Sequence, residues 1–146
     1  MNIAISSDHG GNVLRKEITS LLDELGHTFQ DFGPPTNDSV DYPDYAKPVS
    51  EGVAAGNFDR GILICGTGIG MSIAANKIKG IRCALVHDVF SAKATRGHND
   101  SNVIAMGERV IGGGLAREIV KTWLEGEFEG GRHERRIFKL TELENK

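Results

Sequence analysis

Apolar positions along this chain change period repeatedly, from short continuous or alternating runs to runs spaced three and four apart. Asn2–Ser7 (NIAISS) predicts a first strand, closed by the turn Asp8-His9-Gly10-Gly11. Val13, Leu14, Ile18, Leu21, Leu22 and Leu25 then follow helical spacing, and Gly26 ends that helix. His27–Phe32 predicts a second strand, Gly33 to Pro43 a turn-rich loop, and Tyr45–Ala55 a second helix with Pro48 in its first turns. Gly61–Cys65 (GILIC) is continuously apolar, as a strand covered on both faces should be. It runs into Gly66-Thr-Gly-Ile-Gly70 and a helix over Met71–Lys77. Arg82–His87 predicts a fourth strand, Val89–Gly97 a fourth helix, Asn102–Met106 a fifth strand and Gly114–Glu125 a fifth helix. From Gly130 to Lys146 the chain is polar, with Ile137, Leu140 and Leu143 at helical spacing.

Strands alternating with helices predict an α/β fold: one doubly wound, Rossmann-like domain over residues 1–146, with a five-stranded parallel sheet flanked by helices and a C-terminal helical segment. Ligands of such sheets sit beyond the carboxyl ends of the strands, near a topological switch point. The residues expected there are Asp8 and His9, Cys65–Gly70, and His87-Asp88.

Composition narrows the function. The 146 residues are 39% hydrophobic and 25% charged, an ordinary globular balance, and the net charge is −3. A general nucleic-acid binder would need a basic face, so that class is excluded, while a local cationic pocket for one small anion is not. No stretch reads as a signal peptide or a membrane span, and the two cysteines form no CxxC pair. A reducing cytoplasm is the expected compartment.

The loop Cys65-Gly-Thr-Gly-Ile-Gly70 joins a buried strand to a helix, a place where backbone N–H groups and the helix dipole favour an anion. A tight strand-to-helix turn is one alternative reading. A dinucleotide fingerprint is another, although Met71 stands where its third glycine belongs and the loop follows the third strand rather than the first. Cys65 at the loop's start is placed either as a base or nucleophile near a helix N-terminus or as an inert buried thiol. Cys83, inside a strand, reads as inert, and His27 and His87 read as structural. His98-Asn99-Asp100 offers an acid–base group or a capped helix end. Arg132 and Arg136 lie one helical turn apart, a spacing that suits a phosphate or a solvated face, with His133 and Arg135 nearby. No ligand spacing points to a metal.

Taken in order, Ser7-Asp8-His9-Gly10, Asp41-Tyr42-Pro43, Gly61 through Gly70, Ser72-Ile-Ala-Ala-Asn-Lys77, His98-Asn99-Asp100, Gly107-Glu-Arg109 and Glu129-Gly-Gly-Arg-His133 resemble the type B ribose-5-phosphate isomerases and their relatives acting on galactose 6-phosphate and allose 6-phosphate. The resemblance spans nearly the whole chain. It implies an aldose–ketose isomerase of pentose phosphate metabolism, with Cys65 moving a proton between C1 and C2 and Thr67 assisting. Backbone amides of Gly66, Gly68, Ile69 and Gly70 would stabilise the enediolate. His98 would open the furanose ring. Asp8, His9, Asn99 and Arg109 would contact substrate, and Arg132 and Arg136 would grip the phosphate. Met71 stands where one branch of the family places a glutamate base, so the resemblance puts this chain with the cysteine branch. It further implies homodimers or tetramers in which His98, Asn99 and Arg109 come from the partner subunit.

The chemistry asks for a base, an array of donors, an acid–base group and an anion clamp. The sequence offers one candidate for each, expected at the carboxyl end of the sheet, and no cofactor is called for. A hexose-6-phosphate isomerase and a non-catalytic phosphosugar- or nucleotide-binding module remain the alternatives.

Overall fold

The computed structural model describes residues 1–146. Five parallel strands form one sheet: β1 (Asn2–Ser7), β2 (Thr28–Asp31), β3 (Arg60–Cys65), β4 (Cys83–Leu85) and β5 (Val103–Gly107), in the order β2-β1-β3-β5-β4. The helices are α1 (Asn12–Glu24), α2 (Tyr42–Ala54), α3 (Ile69–Asn76), α4 (Val89–Asn99), α5 (Gly113–Glu125) and α6 (Arg132–Glu144).

The period-two alternation of β3 explains the layering. Ile62 and Ile64 point to one face with Ile18, Leu22, Ile119 and Trp123 of α1 and α5. Leu63 and Cys65 point to the other, among Val49 of α2 and Met71 and Ala75 of α3. Each fully buried Ile, Leu or Val contributes about 1.5–3 kcal/mol relative to exposure. Trp123 satisfies its indole N–H on the Ser101 hydroxyl at 2.9 Å. Arg60 closes the end of α5 by donating to the Trp123 carbonyl at 2.7 Å.

Most boundaries shift by one or two residues, and two elements differ by more. Helix α2 begins at Tyr42, three residues early, because Pro43 lies in the first turn, where a missing N–H costs nothing. Strand β4 pairs over only three residues. The chain leaves the ladder after Leu85, and the His87 ring, at Nε2, accepts the Gly107 N–H at 2.9 Å.

The strand order reverses between β1 and β3, which are neighbours, so the switch-point crevice opens above their carboxyl ends. Helix α6 packs loosely at the other side of the sheet. Of its residues only His133 is buried, and Phe138, Leu140 and Leu143 are exposed. No helix is long and apolar enough to cross a membrane.

Candidate active site

The crevice is built by β1, β3 and β5. At the end of β1, the Asp8 N–H donates to the Ile64 carbonyl at 3.1 Å, which locks the turn against β3. The Asp8 carboxylate accepts the Gly10 N–H at 2.8 Å. His9 accepts the Val40 N–H at Nδ1, 3.2 Å away, so in neutral His9 the other nitrogen, Nε2, carries the proton. The loop that supplies Val40 is itself held by buried Arg15, which donates to the Pro34 carbonyl at 2.7 Å and pairs with Asp31.

Cys65 ends β3 with its thiol buried toward α3. Its Sγ accepts the Gly68 N–H at 3.0 Å. Gly68 has φ of 78°, and a Cβ there would lie 2.7 Å from Leu85 Cδ1 and 2.8 Å from the Met106 carbonyl carbon, so no other residue fits the bend. Thr67 is exposed, and its Oγ1 accepts the Ile69 N–H at 3.2 Å. The amides of Gly66, Thr67 and Gly70 have no acceptor within the chain. They are free donors in the loop that leads from the thiol into the head of α3.

Arg109 stands over this loop in the same chain. The Glu108 and Arg109 amides donate to the carbonyls of Cys65 and Gly66 at 2.9 and 3.0 Å. The Arg109 guanidinium lies 3.2 Å from where a Gly66 side chain would begin. It has no ion-pair partner. The expectation that Arg109 comes from a partner subunit is therefore corrected: β5 lies beside β3, and its exit carries Arg109 directly onto the glycine loop. Tyr42 is a neighbour that sequence reasoning did not assign. Its ring covers Gly70, 2.7 Å from where a Cβ would stand.

The remaining predicted residues lie elsewhere. Helix α4 starts beyond the carboxyl end of β4 and runs back for 11 residues, about 16 Å, so His98 and Asn99 reach the amino-terminal edge of the sheet. Arg82, just before β4, donates to the Asn99 carbonyl at 3.0 Å. Asp100 follows in a left-handed conformation with φ of 47°, held by Arg82 and Arg96. His98 stacks on His133 with centroids 4.3 Å apart and planes within 9° of parallel. Its Nε2 lies 3.5 Å from a Glu129 carboxylate oxygen, and His133 Nε2 lies 3.9 Å from the other oxygen. Burial holds the His133 imidazole below the ordinary histidine range, and the nearby His98 and Arg132 charges add to this. Arg132 and Arg136 open α6 beside this cluster, exposed and without ion-pair partners.

The expectation that every candidate group sits at the carboxyl end is thus corrected. Asp8, His9, Cys65–Gly70 and Arg109 do; His98, Asn99, Arg132 and Arg136 sit at the opposite end. The Glu129, His98 and His133 atoms lie within 4.8 Å of one another, close enough to suggest a metal. The ring geometry argues otherwise. An ion lies near the plane of each imidazole that binds it, and two parallel, separated planes share no such point. Burial pushes the Cys83 thiol up to about 12, which disfavours the reactive thiolate.

Comparison with known proteins settles the class of chemistry. Residues 3–140 match the ribose/galactose isomerase family. The chain belongs to that family. It is 47% identical over 144 residues to ribose-5-phosphate isomerase B of Escherichia coli, covering 99% of this chain and 97% of that one. The solved ribose-5-phosphate isomerase B of Clostridium thermocellum is 52% identical, with a TM-score of 0.98, covering 99% and 98% of the two chains. That of Mycoplasma genitalium, solved with bound ribulose 5-phosphate, is 41% identical, with a TM-score of 0.96, covering 99% and 97%. This isomerase shares with them the whole α/β architecture, C-terminal helix included.

Proposed function

We propose that this isomerase interconverts ribose 5-phosphate and ribulose 5-phosphate through an enediolate. Cys65 is the base that carries the proton between C1 and C2. The observation that carries this reading is the Cys65 thiol at the start of the glycine loop, which leaves the amides of Gly66, Thr67 and Gly70 free on its way into α3. As the proton leaves carbon, negative charge grows on the substrate oxygen, and preorganised N–H donors stabilise it without reorganising. Thr67 assists at the thiol. Asp8 and the Nε2–H of His9 bind sugar hydroxyls at the crevice wall. His98 opens the ring, Asn99 binds the sugar, and Arg109, Arg132 and Arg136 supply positive charge for the phosphate.

These groups can act together only across two copies of the chain, because about 14 Å of helix separates His98 from the crevice end of its own sheet. A two-fold pairing would bring the crevice of each copy against the His98–α6 end of the other. Exposed Phe138, Leu140 and Leu143 give that end an uncovered apolar surface. The family's description includes galactose as well as ribose, so six-carbon phosphates are the second reading.

The test is ketose formation from ribose 5-phosphate by the purified chain, with EDTA and no added cofactor. Rapid ribulose 5-phosphate production is expected, falling about 10²- to 10⁴-fold in Cys65→Ala, the range for loss of a general base. A folded wild-type protein that turns over only six-carbon phosphates would replace the substrate assignment. A fully active Cys65→Ala would remove the thiol from the mechanism.

A further inference from the structure

Glu129 lies outside the residues assigned above, yet the chain makes specific room for it. A side chain at Gly97 would begin 2.5 Å from the Glu129 Oε2 and meet no other group as closely. The Glu129 N–H donates to the Gly97 carbonyl at 3.0 Å, which fixes the segment before α6 onto the last turn of α4. The carboxylate therefore rests on the residue immediately before His98, with one oxygen 3.5 Å from His98 Nε2. On the other side, His133 covers the flat face of the His98 ring. Burial disfavours a proton on His133, and the nearby His98 and Arg132 charges add to this.

This arrangement fixes two things about His98. A carboxylate beside Nε2 draws the proton to that nitrogen and leaves the free lone pair on Nδ1. The stack restricts rotation of the ring plane. Ring opening needs both. The proton of the anomeric hydroxyl leaves O1, the C1–O4 bond breaks, C1 becomes the aldehyde carbon, and the ring oxygen O4 gains a proton. The net event moves one proton from O1 to O4, and a histidine of fixed tautomer takes it from one and returns it to the other.

We propose that Glu129 is a positioning residue that holds His98 in the tautomer and plane required to open the furanose ring. This rests on the role given to His98 above and adds the group through which that role is set.

A double-mutant cycle tests it. Glu129→Gln keeps the size and removes the charge. It is expected to lower kcat on ribose 5-phosphate about tenfold in the otherwise native enzyme, and less than about twofold when added to His98→Asn. Substrate that opens spontaneously in solution keeps the His98→Asn enzyme measurable. A second readout is exchange of the C1 proton of ribulose 5-phosphate in D2O, relative to the native enzyme. This substrate has no furanose form, so exchange is expected within about twofold of native in Glu129→Gln. An unchanged kcat in Glu129→Gln overturns the proposal, as does an equal loss in both backgrounds or an equal loss of exchange. Full turnover by His98→Asn would instead remove the ring-opening role of His98, a separate failure that the same measurements identify.

Discussion

Gly97→Ala separates the stability of α4 from the placement of Glu129. Gly97 is buried in the helix with ordinary helical backbone, and the nearest atoms to an added methyl are three from the Glu129 side chain, at 2.5, 3.4 and 3.6 Å. Outside the helix's own backbone, no backbone or core atom lies nearer to the methyl than these three. Replacing a helical glycine by alanine stabilises by up to about 1 kcal/mol. Displacing the far end of an exposed glutamate costs less than that, so the net change should fall between zero and about 1 kcal/mol of added stability. For a domain of this size that is a rise of up to about 4 °C in Tm. The carboxylate, however, can no longer rest beside His98. Turnover of ribose 5-phosphate should fall about tenfold, as in Glu129→Gln. Urea denaturation and steady-state kinetics on the same preparation give both numbers. A loss of more than about 1 kcal/mol, or native turnover with Glu129 displaced, would refute the reasoning.

Mixing inactive Cys65→Ala and His98→Ala subunits should restore activity in the hybrids, and a lack of recovery in verified hybrids would count against a shared site. Arg136→Ala should raise KM about tenfold or more with kcat little changed, since it removes binding common to ground and transition states; a fall in kcat alone would place Arg136 elsewhere. Gly68→Ala forces a side chain into a left-handed bend against Met106 and Leu85, for a loss of about 2–5 kcal/mol in urea denaturation. His87 titrates below the ordinary histidine range because of burial, so its neutral form is favoured in the fold. Its contribution is present above the unfolded value of about 6.5 and is lost as pH falls through the folded value. His87→Gln should therefore show a smaller loss of stability between about pH 7.5 and pH 5 than the native chain, and an equal loss would put that slope on His27 and His133 instead.

Most of the fold was legible because strand and helix periods do not mix here. GILIC reads as a strand covered on both faces and proves to be the central β3. The early start of α2 was hidden because Pro43 reads as a loop residue unless it is recognised as a first-turn residue. The short β4 depends on a tertiary contact, the His87 ring at Gly107, which no local pattern carries. The crevice half of the site was legible because strand ends and glycine loops are local. The other half was legible in part. Residues just before a strand in a βαβ unit lie at that strand's amino-terminal edge, so His98, a few residues ahead of β5, already announced its distance from Cys65. The i,i+4 spacing of Glu129 and His133 was visible too. Their meeting with His98 was not, since it joins two elements more than 30 residues apart in sequence.

The proposed division of catalytic groups between opposite ends of one chain also bears on how such an enzyme can diverge. On that proposal, a duplicated gene would yield two subunits that pair through the same surfaces, and each mixed pair would hold two crevices of different composition. One copy could then lose Cys65 and still serve its neighbour with His98, while the other would lose His98 and keep the thiol. Obligate pairing of unlike subunits, with one working crevice per pair, is then reachable by loss alone, without any new contact having to arise.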